Sequence, residues 1–283
     1  MEQEGKLAYE CLEVSNAGGV AHIRLNHPER LNSMVPAFWA EIPRVFRELD
    51  EAGATRAAVI SSTGRHFSAG MDLSVFQSAD ALGTRDVAAR ERFRHQLIRL
   101  QQSFNAIAEA RFPVIAAVQG GCIGGAVDLV TACCLRYCSR EAFFCIQEIN
   151  IGMMADVGTM NRMPRQLPEA VMRELAYTGD RLGAERAERL GFVNGVFDDA
   201  PALVEGTLEV ARRIASKAPV AVAASKEMIS YARDHSVAES FAYLNALQPG
   251  IFDPADIARA VGAQKSGTAA QFADLPPRRP ALG

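Results

Sequence analysis

Apolar and polar positions follow two rhythms along the first hundred residues. CLEVSN and VAHIRLN, separated by Gly18-Gly19 and closed by His27-Pro28, alternate at period two, which predicts a hairpin. From Pro36 to Ala52 the period becomes helical. Phe38, Ile42, Val45, Phe46 and Leu49 share one side, with Glu41, Glu48, Asp50 and Glu51 on the other, so an amphipathic helix is expected. AAVISS then reads as a short buried strand running into the glycine-bearing stretch GRHFSAGMDL. A polar, Arg-rich segment from Asp80 to about Gln102 is expected to be helical and partly exposed.

FPVIAAVQGGCIGGAVDLVTACCLRYC repeats the sequence of strand, glycine turn and helix. A buried strand breaks at Gly120-Gly121, turns again at Gly124-Gly125 and continues as an apolar helix from about Ala126. AFFCIQEINIGMMADVGTMNRMPRQL is a further strand, loop and helix, and MRELAYTGDRLGAERAERLGFVNGVF gives a helix, a short helix and a closing strand. Repeated strand-strand-helix units without the long spacing of a doubly wound parallel sheet predict an α/β core of small coiled sheets over residues 1–200. From Ala200 the pattern is almost purely helical. Residues 201–283 are expected to form a separate helical lobe, with the Pro-rich FADLPPRRPALG frayed.

The bulk numbers narrow the class. The 283 residues, 49% hydrophobic and 22% charged, suffice for a large buried core. A formal net charge of -3 gives no general attraction to nucleic acid or anionic membrane. No run approaches the about 18 apolar residues of a membrane span, and MEQEGKLAYE opens acidic without an apolar stretch, so a soluble, cytoplasmic protein is expected. Six cysteines lack CxxC spacing and read as reduced core residues rather than a metal or redox site.

Two features could do chemistry. The turns SAGMD (Ser68 to Asp72) and GGCIGGAVD (Gly120 to Asp128) each follow a predicted strand and precede a predicted helix, so both could present free backbone N–H groups to an oxyanion. Equally, their glycines could simply permit tight turns. Asp128, Glu148 and Asp156 stand among apolar residues, where burial penalises an ionised carboxylate. Each alone reads as a helix cap or surface acid; three together point to an acid-base site. His66 lies beside the first turn and reads as structural, and His22, His27, His95 and His235 lack metal-ligand spacing. Arg30 could meet a phosphate or simply be solvated.

HPERLNSM, GRHFSAGMDL, FPVIAAVQGGCIGGAVDLVTACCLRYCS, IQEINIGMMADVGTMNRMPR, YTGDRLGAERAERLGFVNGV and the late KEMI together resemble the crotonase (enoyl-CoA hydratase/isomerase) superfamily over nearly the whole chain. The resemblance implies a spiral of ββα units and a C-terminal helical lobe that builds homotrimers or hexamers formed as dimers of trimers. It implies oxyanion-hole donors at the N–H groups of Met71 and Gly125. Ala69, Gly70, Met71, Asp72, Leu73 and Gly125 would lie along the CoA path, and Arg30 near its phosphates. Hydratases of the family have Glu where Asp128 stands, Glu where Glu148 stands and Gly where Asp156 stands. Asp, Glu and Asp at these places look like the dienoyl-CoA isomerase branch, which moves a 3,5-diene to the 2,4 position. Ala126 departs from that branch, which usually has a third Gly there. The resemblance assigns Glu148 and Asp156 as the acid-base pair, Glu148 at C2, and Asp128 as a tuning or water-binding acid. The alternative is an enoyl-CoA hydratase holding water with Asp128 and Glu148. A single-acid 3,2-isomerase and a non-catalytic scaffold are further rivals. An acyl-CoA substrate is expected, with CoA as part of it and no metal or other cofactor.

Overall fold

The chain enters through a hairpin, β1 (Leu12–Ala17) and β2 (Val20–Leu25), paired antiparallel across the Gly18-Gly19 turn. The computed structural model describes residues 9–72, 75 and 86–278. Helix α1 runs Pro36–Ala52, as its periodicity predicts, and buries Phe38, Ile42, Val45 and Phe46. Two acids expected on its polar side are buried instead. Glu41 accepts the Glu10 and Cys11 amides, and Asp50 accepts the Arg111 amide and side chain. Strand β3 (Ala57–Ser62) follows, then α2 (Val87–Glu109), which begins later than the Arg-rich pattern suggested; residues 80–85 of that expectation lie outside the described residues.

Each subsequent unit sends one strand to a main sheet and one to a smaller sheet. β4 (Val114–Val118) joins the first and β5 (Gly121–Ile123) the second, before helix α3 (Gly125–Ala132). β6 (Leu135–Ser139) and β7 (Phe143–Cys145) repeat the step, followed by a 3₁₀ turn at Gln147–Ile151, α4 (Thr159–Arg162) and α5 (Glu169–Thr178). β8 (Arg181–Gly183), α6 (Ala184–Arg189) and β9 (Val196–Phe197) complete the core. The main sheet has the order β1-β2-β3-β4-β6-β9, parallel from β2 onward, and the second has the order β5-β7-β8. A bridge from Ser68 to Cys122 lets the segment after β3 join the second layer in the same way. This is the expected ββα spiral.

AAVISS is apolar throughout because both faces of β3 are covered. Ala58 and Ile60 join the core under α1 and α2, while Ala57 and Val59 face α7 (Ala200–Ala215) through Leu203, Ala211 and Ala215. Helices α8 (Pro219–Asp234), α9 (Val237–Ile251) and α10 (Pro254–Ser266) follow, and α9 and α10 bury none of their residues. The Lys226 ammonium of α8 donates to the carbonyls of Ala110 and Phe112 just past α2, at 2.6 and 2.9 Å. The tail does not fray over residues 272–278. Arg56 holds Phe272 O and Asp274, Leu275 is buried, and Arg278 N donates to Glu51 O. All six cysteines are free, and every one but Cys134 is buried. Among the described residues no helix is long and apolar enough to cross a membrane.

Candidate active site

The two glycine turns are pressed against each other. Gly70 has φ +81° and Gly124 φ +56°, conformations that a side chain would strain. A Cβ on Gly70 would overlap Ile123 O and lie 3.1 Å from Gly125 N, and a Cβ on Gly125 would lie 3.7 Å from Met71 N. The amides of Met71 and Gly125 therefore converge. Met71 pairs with Met34 in a parallel bridge whose hydrogen bonds use Gly70 O and Asp72 N, so its own N–H points away from that partner. Gly125 is the first residue of α3, where N–H groups have no intrahelical acceptor. Two unspent donors aimed at one region suit an oxygen that gains negative charge.

The loop before α1 supports this geometry. Asn32, in the left-handed region, donates to Thr63 O and His66 O, while Ser68 Oγ donates to Asn32 O and accepts from Gly70 N. Arg30 pairs with Asp72 at 2.8 Å, and Ser33 Oγ donates to the same carboxylate oxygen. Arg30 thus stands half-exposed beside Met71, anchored by Asp72. Leu73 lies outside the described residues. His66 Nδ1 accepts the Gly121 amide at 2.9 Å, a structural role.

The three carboxyls come from α3, the 3₁₀ turn and the loop before α4, and the charge of Asp156 reaches both of the others. Asp128, in the first turn of α3, is 1% exposed and accepts the Thr159 amide at 2.5 Å. Burial, with the charge of Asp156 behind it, pushes it up to about 6 against the opposing Thr159 bond and Arg162. Glu148, in the 3₁₀ turn after β7, directs Oε1 to within 3.2 Å of where a Gly124 Cβ would stand, while its buried Oε2 has no protein partner. Burial, then the charges of Asp128 and Asp156, push Glu148 up to about 7. Asp156 is half-buried, and that burial raises it too. Ala126, where a third Gly was expected, is fully buried in α3 as part of the core.

Several supporting residues were not apparent in the sequence. Gln101 of α2 donates to Asp156 O, and Asn105 of the same helix accepts from Arg162. No local pattern marks them, because α2 reaches the site only through tertiary packing. Among the described residues no cluster of side chains has the arrangement of a metal site.

The chain belongs to the enoyl-CoA hydratase/isomerase family, whose profile matches residues 15–272. It is 41% identical over 261 residues to the Homo sapiens mitochondrial Delta(3,5)-Delta(2,4)-dienoyl-CoA isomerase, covering 90% of this chain and 79% of that one. It is 34% identical to the peroxisomal enzyme of the same name from Arabidopsis thaliana, over 97% of this chain and 100% of that one. The fold matches an enoyl-CoA hydratase crystal structure from Bacillus anthracis with TM-score 0.83 and 26% identity, over 93% of this chain and 99% of that one. These names correct the expected cytoplasmic location, since the two isomerases are named for mitochondria and peroxisomes. The expectation rested on the lack of an apolar run, which marks secretory signals and membrane spans and so does not distinguish the cytoplasm from an organelle.

Proposed function

We propose that this chain converts 3,5-dienoyl-CoA to 2,4-dienoyl-CoA by taking a proton from C2 and delivering another to C6. The observation that carries the reading is the third carboxyl: Asp156 shares one electrostatic site with Asp128 and Glu148. The Glu148 carboxylate takes the C2 proton, and the electron pair of that C–H bond enters a dienolate extending from the thioester oxygen to C6. The Met71 and Gly125 amides hold the oxyanion. Asp156, protonated at the outset, then gives its proton to C6, leaving double bonds at C2 and C4, and proton exchange with water returns Glu148 to the carboxylate and Asp156 to the acid. A base near pKa 7 is well matched to proton abstraction at neutral pH, and two acids are used because C2 and C6 are too far apart for one. Asp128 tunes Glu148 by its charge.

Ala69, Gly70, Met71, Asp72 and Gly125 would border the CoA path, with Arg30 toward the phosphates. Only protons move in this scheme, so it calls for no metal or redox cofactor. Residues 1–200 would supply the catalytic core and 201–283 the association lobe of a homotrimer or hexamer.

The test is an ultraviolet assay of growth of the 2,4-dienoyl chromophore from a 3,5-dienoyl-CoA, run beside hydration of a 2-enoyl-CoA. A fast diene shift that Asp156→Asn abolishes supports the isomerase. Hydration alone, indifferent to that variant, would make this a hydratase.

A further inference from the structure

Asp128 is held by a short helix that also bears a buried cation outside the proton-transfer scheme. Thr159 N donates to Asp128 Oδ1. One residue earlier, Gly158 lies directly under Arg162, where a Cβ would overlap Nη1. Arg162 N returns to Gly158 O at 2.9 Å, Arg162 Nη2 is held by Asn105, and Nη1 is buried without a protein acceptor. The Gly158–Thr159 peptide is therefore in contact with both the carboxylate and the guanidinium. Burying a guanidinium N–H without an acceptor is costly, which makes packing alone a poor reason for an arginine here.

We infer that Arg162 is a positioning residue for Asp128: it fixes the peptide that donates to this carboxylate and places a positive charge behind it. The groups facing Asp128 are Asp156, Glu148, Cys122 of β5 and Arg162 of α4. Those facing Arg162 are Asp128, Arg233 of α8, Cys133 at the C-terminal cap of α3 and Glu109 of α2. Arg162 and the Thr159 amide thus oppose the rise that burial and Asp156 impose on Asp128. Without the guanidinium, Asp128 would retain a proton near neutral pH and cease to hold Glu148 high. The catalytic consequence rests on the isomerase reading; control of Asp128 by Arg162 does not.

The experiment uses the full chain as native protein and as Arg162→Met, Arg162→Lys and Asn105→Ala. Without substrate, the Asp128 carboxyl is titrated by ¹³C NMR, its resonance assigned by its loss in Asp128→Asn. Arg162→Met is expected to raise its midpoint by roughly one unit, a tenfold change in ionisation constant, and Arg162→Lys to restore most of it. Asn105→Ala, which only loosens the guanidinium, is expected to give a smaller rise and decides the matter if Arg162→Met does not fold. With 3,5-dienoyl-CoA, Arg162→Met is expected to move the acid limb of kcat to lower pH, as loss of the Asp128 charge does, and to cause no further displacement in an Asp128→Asn background. An Asp128 midpoint unchanged in folded variants, or a limb displacement that persists without Asp128, would overturn the inference. A native protein inactive on dienoyl-CoA would sink the isomerase reading, while the titration would still decide the role of Arg162.

Discussion

At the residue scale the telling quantity is the protonation of buried acids. Asp128 and Glu148 rise from ordinary values of 3.8 and 4.5 to about 6 and about 7, chiefly through burial. Because the folded values exceed the unfolded ones, the stability linked to each group is fully present below about pH 4 and is lost as pH rises through 6 to 7, by on the order of 3 kcal/mol each. Asp128→Asn keeps an oxygen for the Thr159 amide and removes the buried charge. Urea denaturation should find it more stable than the native chain at pH 8 and little different at pH 4. The same variant removes a negative charge beside Glu148, so the acid limb of kcat, near pH 7 in the native enzyme, should move lower. Glu148→Gln and Asp156→Asn should each slow the diene shift by about 10²- to 10⁴-fold, the usual worth of a positioned acid or base. All three acids were visible in the sequence as charges set among apolar residues. Their mutual approach was not, because it depends on how α3, the 3₁₀ turn and the loop before α4 pack.

At the element scale the site depends on two turns passing closer than side chains allow. Gly70→Ala would strain a left-handed residue and drive a methyl into Ile123 O, parting the Met71 and Gly125 amides. Its kcat should fall by about 10²- to 10³-fold with a smaller change in KM, as expected for lost oxyanion donors, while circular dichroism remains native. The sequence exposed both turns, since each glycine run follows an apolar strand. It could not distinguish a donor pair from two unrelated turns, because nothing local says that Gly70 meets Ile123. Helix α1 shows the converse limit. Its bounds follow from its periodicity, yet Glu41 and Asp50 are buried, because tertiary partners satisfy acids that the helical pattern assigns to solvent.

At the scale of the whole molecule the tail matters more than its composition implied. Asp50 receives Arg111 at 3.0 Å and Arg278 at 3.1 Å, joining α1, the segment before β4 and the tail. Asp50→Ala leaves Arg111, mostly buried, without its partner and should cost about 2 to 3 kcal/mol, lowering Tm by several degrees in a thermal melt. Exposed Ile229, Val237, Phe241, Ile257 and Val261 on the last three helices, with Phe252 between α9 and α10, accord with association of this lobe. Light scattering should return three or six times the chain mass; a monomer would remove that part of the proposal.

The sequence by itself determined the alternation of strand and helix, the spiral of ββα units, the positions of both glycine turns and the three acids, because period, turn chemistry and misplaced charge are local properties. The tertiary structure alone decided which amides converge, which acids share a field, that Arg162 and Asn105 stand behind Asp128, and that the tail is held. Those are distances between residues far apart in the chain, set by packing that no local pattern encodes.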